Sequence, residues 1–373
     1  MTSPASSLRR SPWTYIFAII TVLGLYASWL RVTGGLGAVT NLSDEFPWGL
    51  WIGFDVLCGV GLASGGFTLV AIVHIFHLKK YKPILRPAIL TAFLGYLLVM
   101  LALIFDLGRP DRAWRALISF NTHSVMFEVA WCVTLYTTVL ALEFAPAVCE
   151  RFGLAAPLKW LRRISVPVVI AGVILSTLHQ SSLGSLYLIV PSKLHVLWYT
   201  PLLPLFFYLS AICVGLAMTI FESWHSSRAF GRQLEVSLLS GMGRALAVLL
   251  SLYLVLRFMD LARRGALSAL LERSMETWLF LLEIALMLLP ALLLYRESVR
   301  QSPKALYWNA VMVLFGFITN RLNVSVTGME SASGIRYAPK WTEVVITLFI
   351  VALGFAFFRF AVKQLPVFEE VET

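Results

Sequence analysis

The stretch Leu175-Ser176-Thr177-Leu178-His179-Gln180-Ser181-Ser182-Leu183-Gly184-Ser185-Leu186-Tyr187, continuing through Pro191-Ser192-Lys193-Leu194-His195 to Trp198-Tyr199-Thr200-Pro201-Leu202-Leu203-Pro204-Leu205, decides how the chain is read. It lies between apolar runs long enough to cross a bilayer. Its His-Gln-Ser-Ser core puts an imidazole, an amide and hydroxyls where hydrocarbon is expected. Polar groups at membrane depth are costly, so they face a bundle interior and mark function.

Working outward, the composition excludes a soluble globular domain. Of 373 residues, 59% are hydrophobic and 13% charged, and the mean hydropathy is +0.81. Only helices or closed barrels satisfy their backbones in lipid. The apolar runs are continuous rather than alternating, which excludes a barrel. The expectation is an all-α polytopic membrane protein. The net charge of +10 belongs to loop lysines and arginines; no basic stripe interleaved with aromatics appears, so nucleic acid is not an expected partner. Twelve Trp suit interfacial belts. Cys58, Cys132, Cys149 and Cys213 form no C-x-x-C pair, so no iron–sulfur cluster or zinc site is expected in this chain.

Ten spans are expected, at 12–30, 47–78, 87–105, 124–144, 165–189, 197–221, 243–259, 277–295, 305–324 and 341–360. The first is read as a retained span rather than a signal peptide, because it is long for one and no clear small-x-small cleavage site follows. The second is too long for one straight crossing; it either tilts or starts along the surface at Trp48 and Trp51. Basic residues favour both termini on the cytoplasmic side, with Arg9, Arg10, Lys79, Lys80, Lys82 and Arg86 carrying most of the weight.

A weak repeat divides the single membrane domain, residues 1–373. Phe105-Asp106-Leu107-Gly108-Arg109 ends the third span, and Phe258-Met259-Asp260-Leu261-Ala262-Arg263 ends the seventh. An acid treated as buried follows each: Asp106 to Glu128 is 22 positions, and Asp260 to Glu283 is 23. This suggests two four-helix bundles, spans two to five (residues 47–190) and six to nine (residues 197–325), with the first and last spans peripheral.

Helical rise allows depth to be counted. At about 1.5 Å per residue, Asp55 lies about 10 Å inside the outer end of the second span. Asp106 and Arg109 close the third span at that same end. His123 stands at the start of the fourth, with Glu128 within two turns below; His179, Gln180 and Ser182 end the fifth. All fall in the outer third of one bundle, with no comparable cluster at the opposite end. Asp106 and Arg109 read more readily as an ion pair at the rim than as ligand contacts. His123 reads equally as a relay or a solvated side chain.

The chemistry these groups suit is proton-coupled. A quinone headgroup has two carbonyls that become hydroxyls on reduction. It needs hydrogen-bond donors, an acid or imidazole to exchange protons, and an apolar groove for its tail. Imidazole exchanges protons near neutral pH, and a carboxyl in a tuned environment does the same. The expected catalytic residues are Glu128, His179 and His123. The expected quinone contacts are Asp55, His179, Gln180, Ser182 and Glu128. An ion pump would use similar parts. A bis-histidine haem could pair His123 with His179, or His74 or His77 with His225. However, no helix carries two histidines at the spacing of stacked haems, so no haem is expected.

The chain resembles the NrfD-like polysulfide-reductase membrane-subunit family, and within it the branch of NiFe hydrogenase-2 complexes often labelled cytochrome b subunit. The resemblance rests on Pro47-Trp48-Gly49-Leu50-Trp51-Ile52-Gly53-Phe54-Asp55, Ala63-Ser64-Gly65-Gly66-Phe67, Asp106-Leu107-Gly108-Arg109-Pro110, Met126-Phe127-Glu128-Val129-Ala130-Trp131, the 179–205 stretch, and Asn320-Arg321-Leu322-Asn323-Val324-Ser325-Val326-Thr327-Gly328. These pieces cover nearly the whole chain. The resemblance implies a haem-free subunit in the bacterial inner membrane. Such a subunit exchanges electrons between quinone (menaquinone or ubiquinone) and a periplasmic ferredoxin-like 4Fe-4S subunit. The larger complex would end in a NiFe hydrogenase or a multihaem cytochrome c. It also implies a quinone site near the periplasmic end of the first bundle. Three readings stay open: a quinone oxidoreductase subunit, a proton or ion translocator without redox chemistry, and a haem-b membrane anchor.

Overall fold

The computed structural model describes residues 12–190 and 194–368. Arg9, Arg10, Lys193 and the C-terminal Thr373 therefore lie outside the described residues. Among the described residues ten helices are long and apolar enough to cross a membrane: α1 (Pro12–Gly34), α2 (Trp51–Ile75), α3 (Lys79–Asp106), α4 (Val125–Arg151), α5 (Ala155–Ile189), α6 (Leu203–Ala229), α7 (Val236–Arg263), α8 (Met275–Leu293), α9 (Pro303–Ser333) and α10 (Trp341–Gln364). The end that carries residues 107–124 is termed the outer end.

Local chemistry sets several starts. Ser124 and Ser274 cap α4 and α8 by accepting the backbone N–H of Phe127 and Thr277. Ser302 caps α9, with Pro303 at its first position, where a missing N–H costs nothing. Gly265 and Gly334, both left-handed, close turns after α7 and α9.

α2 and α6 form the centre. α2 is lined by α3, α5, α6 and α9, and α6 by α5, α7 and α9. α4 packs on α3 and α5, and α8 on α7 and α9. α1 lies on α10, which also touches α3; Ala27, Trp51, Ala102, Ile346 and Ile350 share a small core there. The other face of α1 displays Trp13, Ile19, Val22, Leu25, Trp29 and Val32, a surface suited to lipid.

α2 is not one regular helix. It is π-helical at Trp51–Cys58, α-helical at Gly59–Leu62, turned at Ala63-Ser64, α-helical at Gly65–Val70 and π-helical again at Ala71–Ile75. The Ala-Ser-Gly-Gly-Phe motif makes the turn and the close approach to α6. The Ser64 hydroxyl donates to Ala211 O at 2.5 Å. A Cβ on Gly215 would lie 2.9 Å from the backbone carbon of Ser64. The second span is thus a broken helix over residues 51–75 rather than one straight helix over 47–78. Trp51 is buried with its indole on Glu343 O, and Trp48 lies edge-on against Tyr187.

Candidate functional site

At the outer end of α5, His179, Gln180 and Ser182 are all buried. Gly184, two residues on, brings α5 against the start of α6, where a Cβ would meet the Leu203 carbonyl at 2.8 Å. His179 Nδ1 shares a 2.9 Å hydrogen bond with the Tyr96 hydroxyl of α3. Tyr96 packs edge-on against Tyr136 of α4, with ring centroids 4.8 Å apart. His179 Nε2 has no partner, nor has the Tyr136 hydroxyl. Gln180 Nε2 donates to Val60 O, in the α-helical middle of α2. The Ser182 hydroxyl lies 2.5 Å from Glu128 Oε1 on α4 and 2.7 Å from Leu178 O, so its one proton is shared between them. Three helices thereby meet at α5: α3 through Tyr96, α2 through Val60 and α4 through Glu128.

The remaining expected site residues stand elsewhere. Glu128 is exposed rather than buried: it occupies the first turn of α4, with its carboxylate turned to Ser182. His123 is exposed on the rim, its backbone N–H held by Asn121 Oδ1. Arg109 does not pair with Asp106. It grips Asp111 with two 3.0 Å bonds, and that contact holds the Asp111 carboxyl below its usual range. Both are side chains of the open loop.

Asp55 and Asp106 belong to a second polar group, on the α1–α10 side. Asp55 Oδ2 accepts from the Thr347 hydroxyl of α10 at 2.8 Å. Beside Asp106, Arg31 of α1 closes the end of α3 by donating to Phe105 O and Leu107 O, at 2.7 and 2.6 Å. Glu343 accepts from Asn41 N and from the Tyr337 hydroxyl. Asp55 lies in the first π-helical segment of α2, and its side chain faces α10 instead of α5.

Two further groups have signals that the depth count passed over. In the second half, Glu283 of α8 is fully buried and accepts three bonds: Asn320 Nδ2 at 2.8 Å, and Trp198 Nε1 and Asn323 Nδ2 at 3.0 Å. Arg321, also buried, donates to Asn320 Oδ1, Ser210 Oγ and Phe207 O, and lies 3.6 Å from the centre of the Phe207 ring. Arg257 donates to Leu197 O, and its Nε and Nη1 have no partner. Arginines inside apolar spans were the available signal. Toward the opposite end of the first group, Glu143 of α4 has an unpartnered Oε1, and the Thr91 hydroxyl donates to Glu222 Oε2 at 2.8 Å. Tyr96 and Glu143 are single polar residues in apolar runs, while Tyr136 stands among threonines and Glu222 opens a polar helix end, so none registers in a pattern reading.

Among the described residues no group of three or more His, Cys, Asp or Glu could hold a metal ion. His225 shares a hydrogen bond with the Tyr307 hydroxyl, and its ring lies tilted against that of Phe221 with centroids 4.5 Å apart.

Fold and buried polar groups together define a polytopic α-helical membrane protein whose interior is built for hydrogen bonding and charge. The family model described as "Polysulphide reductase, NrfD" matches residues 38–331, and the chain belongs to this family. It is 39% identical over 371 residues to a protein of Nitratidesulfovibrio vulgaris, covering 96% of this chain and 95% of that one. It is 36% identical to the probable Ni/Fe-hydrogenase 2 b-type cytochrome subunit of Escherichia coli, over 94% of this chain and 91% of the relative. The menaquinone reductase integral membrane subunit of Nitratidesulfovibrio vulgaris is 29% identical, over 96% and 92% of the two chains.

Proposed function

We propose that this chain is the quinone-interacting membrane subunit of a respiratory oxidoreductase complex, inactive alone. It passes electrons between membrane quinone and a periplasmic ferredoxin-like subunit carrying 4Fe-4S clusters, within a hydrogenase-type or multihaem cytochrome complex. The observation that carries the reading is the unpartnered, buried Nε2 of His179 beside the Ser182–Glu128 pair. The relatives named for hydrogenase-2 and for menaquinone reductase supply the chemical class.

With the Tyr96 hydroxyl donating to Nδ1, the neutral ring carries its proton on Nε2. That N–H is free to donate to a quinone carbonyl. Glu128 stands where a carboxylate reaches both the bundle interior and the surface, so it suits proton exchange as quinone gains or quinol loses two electrons and two protons. Gln180 donates from Nε2 to Val60 O, which fixes the roll of α5, and its second N–H is left for the headgroup. Asp55, turned to Thr347, supports the packing of α10. His123 serves the rim.

The two-bundle division and the orientation belong to the same proposal: both termini cytoplasmic, the outer end periplasmic, in a bacterial inner membrane. A second reading, proton or ion translocation, is favoured by Glu143 and by the Thr91–Glu222 pair in the inner half.

The test is purification of the chain with its co-purifying subunits, followed by quinone-linked turnover with and without a quinone analogue. Turnover blocked by the analogue, with quinone in the lipid extract, supports the quinone reading. Ion flux without bound quinone or a redox partner supports translocation. A pyridine-haemochrome signal from this chain supports the haem anchor.

A further inference from the structure

The inner ends of α7, α8 and α9 gather basic side chains over a lipid-facing stripe. Arg244 is exposed on the first half of α7, and Lys304 is exposed in the first turn of α9. Between them the short helix Glu297–Gln301 is flanked by Arg296 and carries Arg300. Arg300 crosses α7 at Gly243, where a Cβ would lie 3.6 Å from the arginine's own Cγ and Cδ. Its Nη1 caps the end of α8 by donating to Leu294 O and Tyr295 O, at 2.8 and 2.7 Å. Its Nε is buried and has no partner. Arg244, Arg296, Arg300 and Lys304 stand against a single acid of this segment, Glu297. The N-terminus of α9 adds its own partial positive charge.

The surface below this cap is apolar. Val248, Leu252 and Val255 form an exposed stripe on α7, at helical spacing, one turn beyond Arg244. Leu288, Leu289 and Leu292 do the same on α8, and the Tyr295 hydroxyl reaches Ser251 between the two helices. Tyr295 (51% exposed) and Trp308 (61% exposed) flank the cap, with Trp308 one turn from Lys304. Exposed Tyr and Trp of this kind mark the headgroup level of a bilayer.

We propose that this face is a binding site for one anionic phospholipid, its phosphate held by the exposed side chains of Arg244 and Lys304 beside the positive charge of Arg300, and its acyl chains along the α7–α8 stripe. A basic pocket between helices at the cytoplasmic surface is a physical match for such a headgroup. The continuous apolar stripe and the aromatic flank select a lipid over a free phosphate, which would use only the cap.

The test is native mass spectrometry of the complex released from detergent, titrated with phosphatidylglycerol or phosphatidylcholine. The parent should retain phosphatidylglycerol in preference. Each basic side chain near such a charge contributes about fivefold in affinity, so Arg244→Ala with Lys304→Ala should weaken phosphatidylglycerol about 25-fold. The single variants Arg244→Gln and Lys304→Gln, both at exposed positions, should each weaken it about fivefold. Equal retention of the two lipids by the parent, or unchanged phosphatidylglycerol affinity in these variants, would overturn the site. Complete displacement of phosphatidylglycerol by inorganic phosphate would make it a free-anion site and overturn the lipid assignment.

Discussion

The same substitution, Glu→Gln, should do opposite things at Glu128 and Glu283. Glu283 is sealed and accepts from Trp198, Asn320 and Asn323, all of them donors only at the contacting atom. A glutamine there turns one acceptor into a donor, so at least one of the three bonds becomes N–H against N–H. It also removes the buried negative charge linked to Arg321 through Asn320. Breaking a buried charge network by removing one member costs about 3–5 kcal/mol. For a chain of this size that lowers the apparent melting temperature by about 4–6 °C. Glu128 is exposed and accepts one bond from Ser182, which a glutamine carbonyl can still accept. Its loss should cost less than about 1 kcal/mol. Glu128→Gln should therefore melt like the parent, yet lose quinone-linked turnover and show an altered pH dependence in what remains. The assay is fluorescence-detected unfolding in detergent beside quinone turnover of the assembled complex. If Glu283→Gln melts with the parent, the buried network is not a stability element. If Glu128→Gln turns over like the parent from acid to alkaline pH, Glu128 takes no part in proton exchange.

His179→Ala should leave the protein inserted and assembled, with quinone turnover strongly reduced and artificial-dye reduction by the soluble partner intact; normal quinone turnover refutes the assignment. Tyr96→Phe removes the hydroxyl that orients His179 and should lower turnover by roughly tenfold or more, about the effect of one lost hydrogen bond to a buried group; unchanged turnover shows that His179 is oriented by packing alone. Reporter fusions at Tyr81 and Thr373 should report cytoplasm and one at Asp111 periplasm; a periplasmic reading at Thr373 reverses the orientation. Gly215→Val would drive a side chain into the Ser64-Gly65 backbone, so assembled protein should fall several-fold in membrane extracts, whereas wild-type yield would show that α2 can move aside.

The apolar runs determined the architecture without any coordinates. An uninterrupted stretch of some twenty apolar residues has one stable form in lipid, a helix, because no other conformation satisfies its backbone. The motifs at Asp106-Leu107-Gly108-Arg109-Pro110 and at the 179–205 stretch likewise carried the family. Counting rise per residue also put His179, Ser182 and Glu128 at one depth, and the fold brings Ser182 and Glu128 into contact.

Tertiary structure decided the partners. Asp55 meets Thr347, Asp106 has Arg31 beside it, and Arg109 pairs with Asp111, although the sequence count put all three near the same end. Depth is one coordinate, and the direction in which a side chain points around its helix is another. That second coordinate depends on which helices pack together and on the phase of each helix. In α2 the π-helical segments at Trp51–Cys58 and Ala71–Ile75 shift the phase away from the 3.6-residue repeat on which a sequence count relies. Glu283, Asn320, Asn323 and Trp198 converge for the same reason: residues from α8, α9 and the loop before α6 become neighbours only when those elements pack, because a carboxylate sealed from water is stable only where donors from other segments surround it.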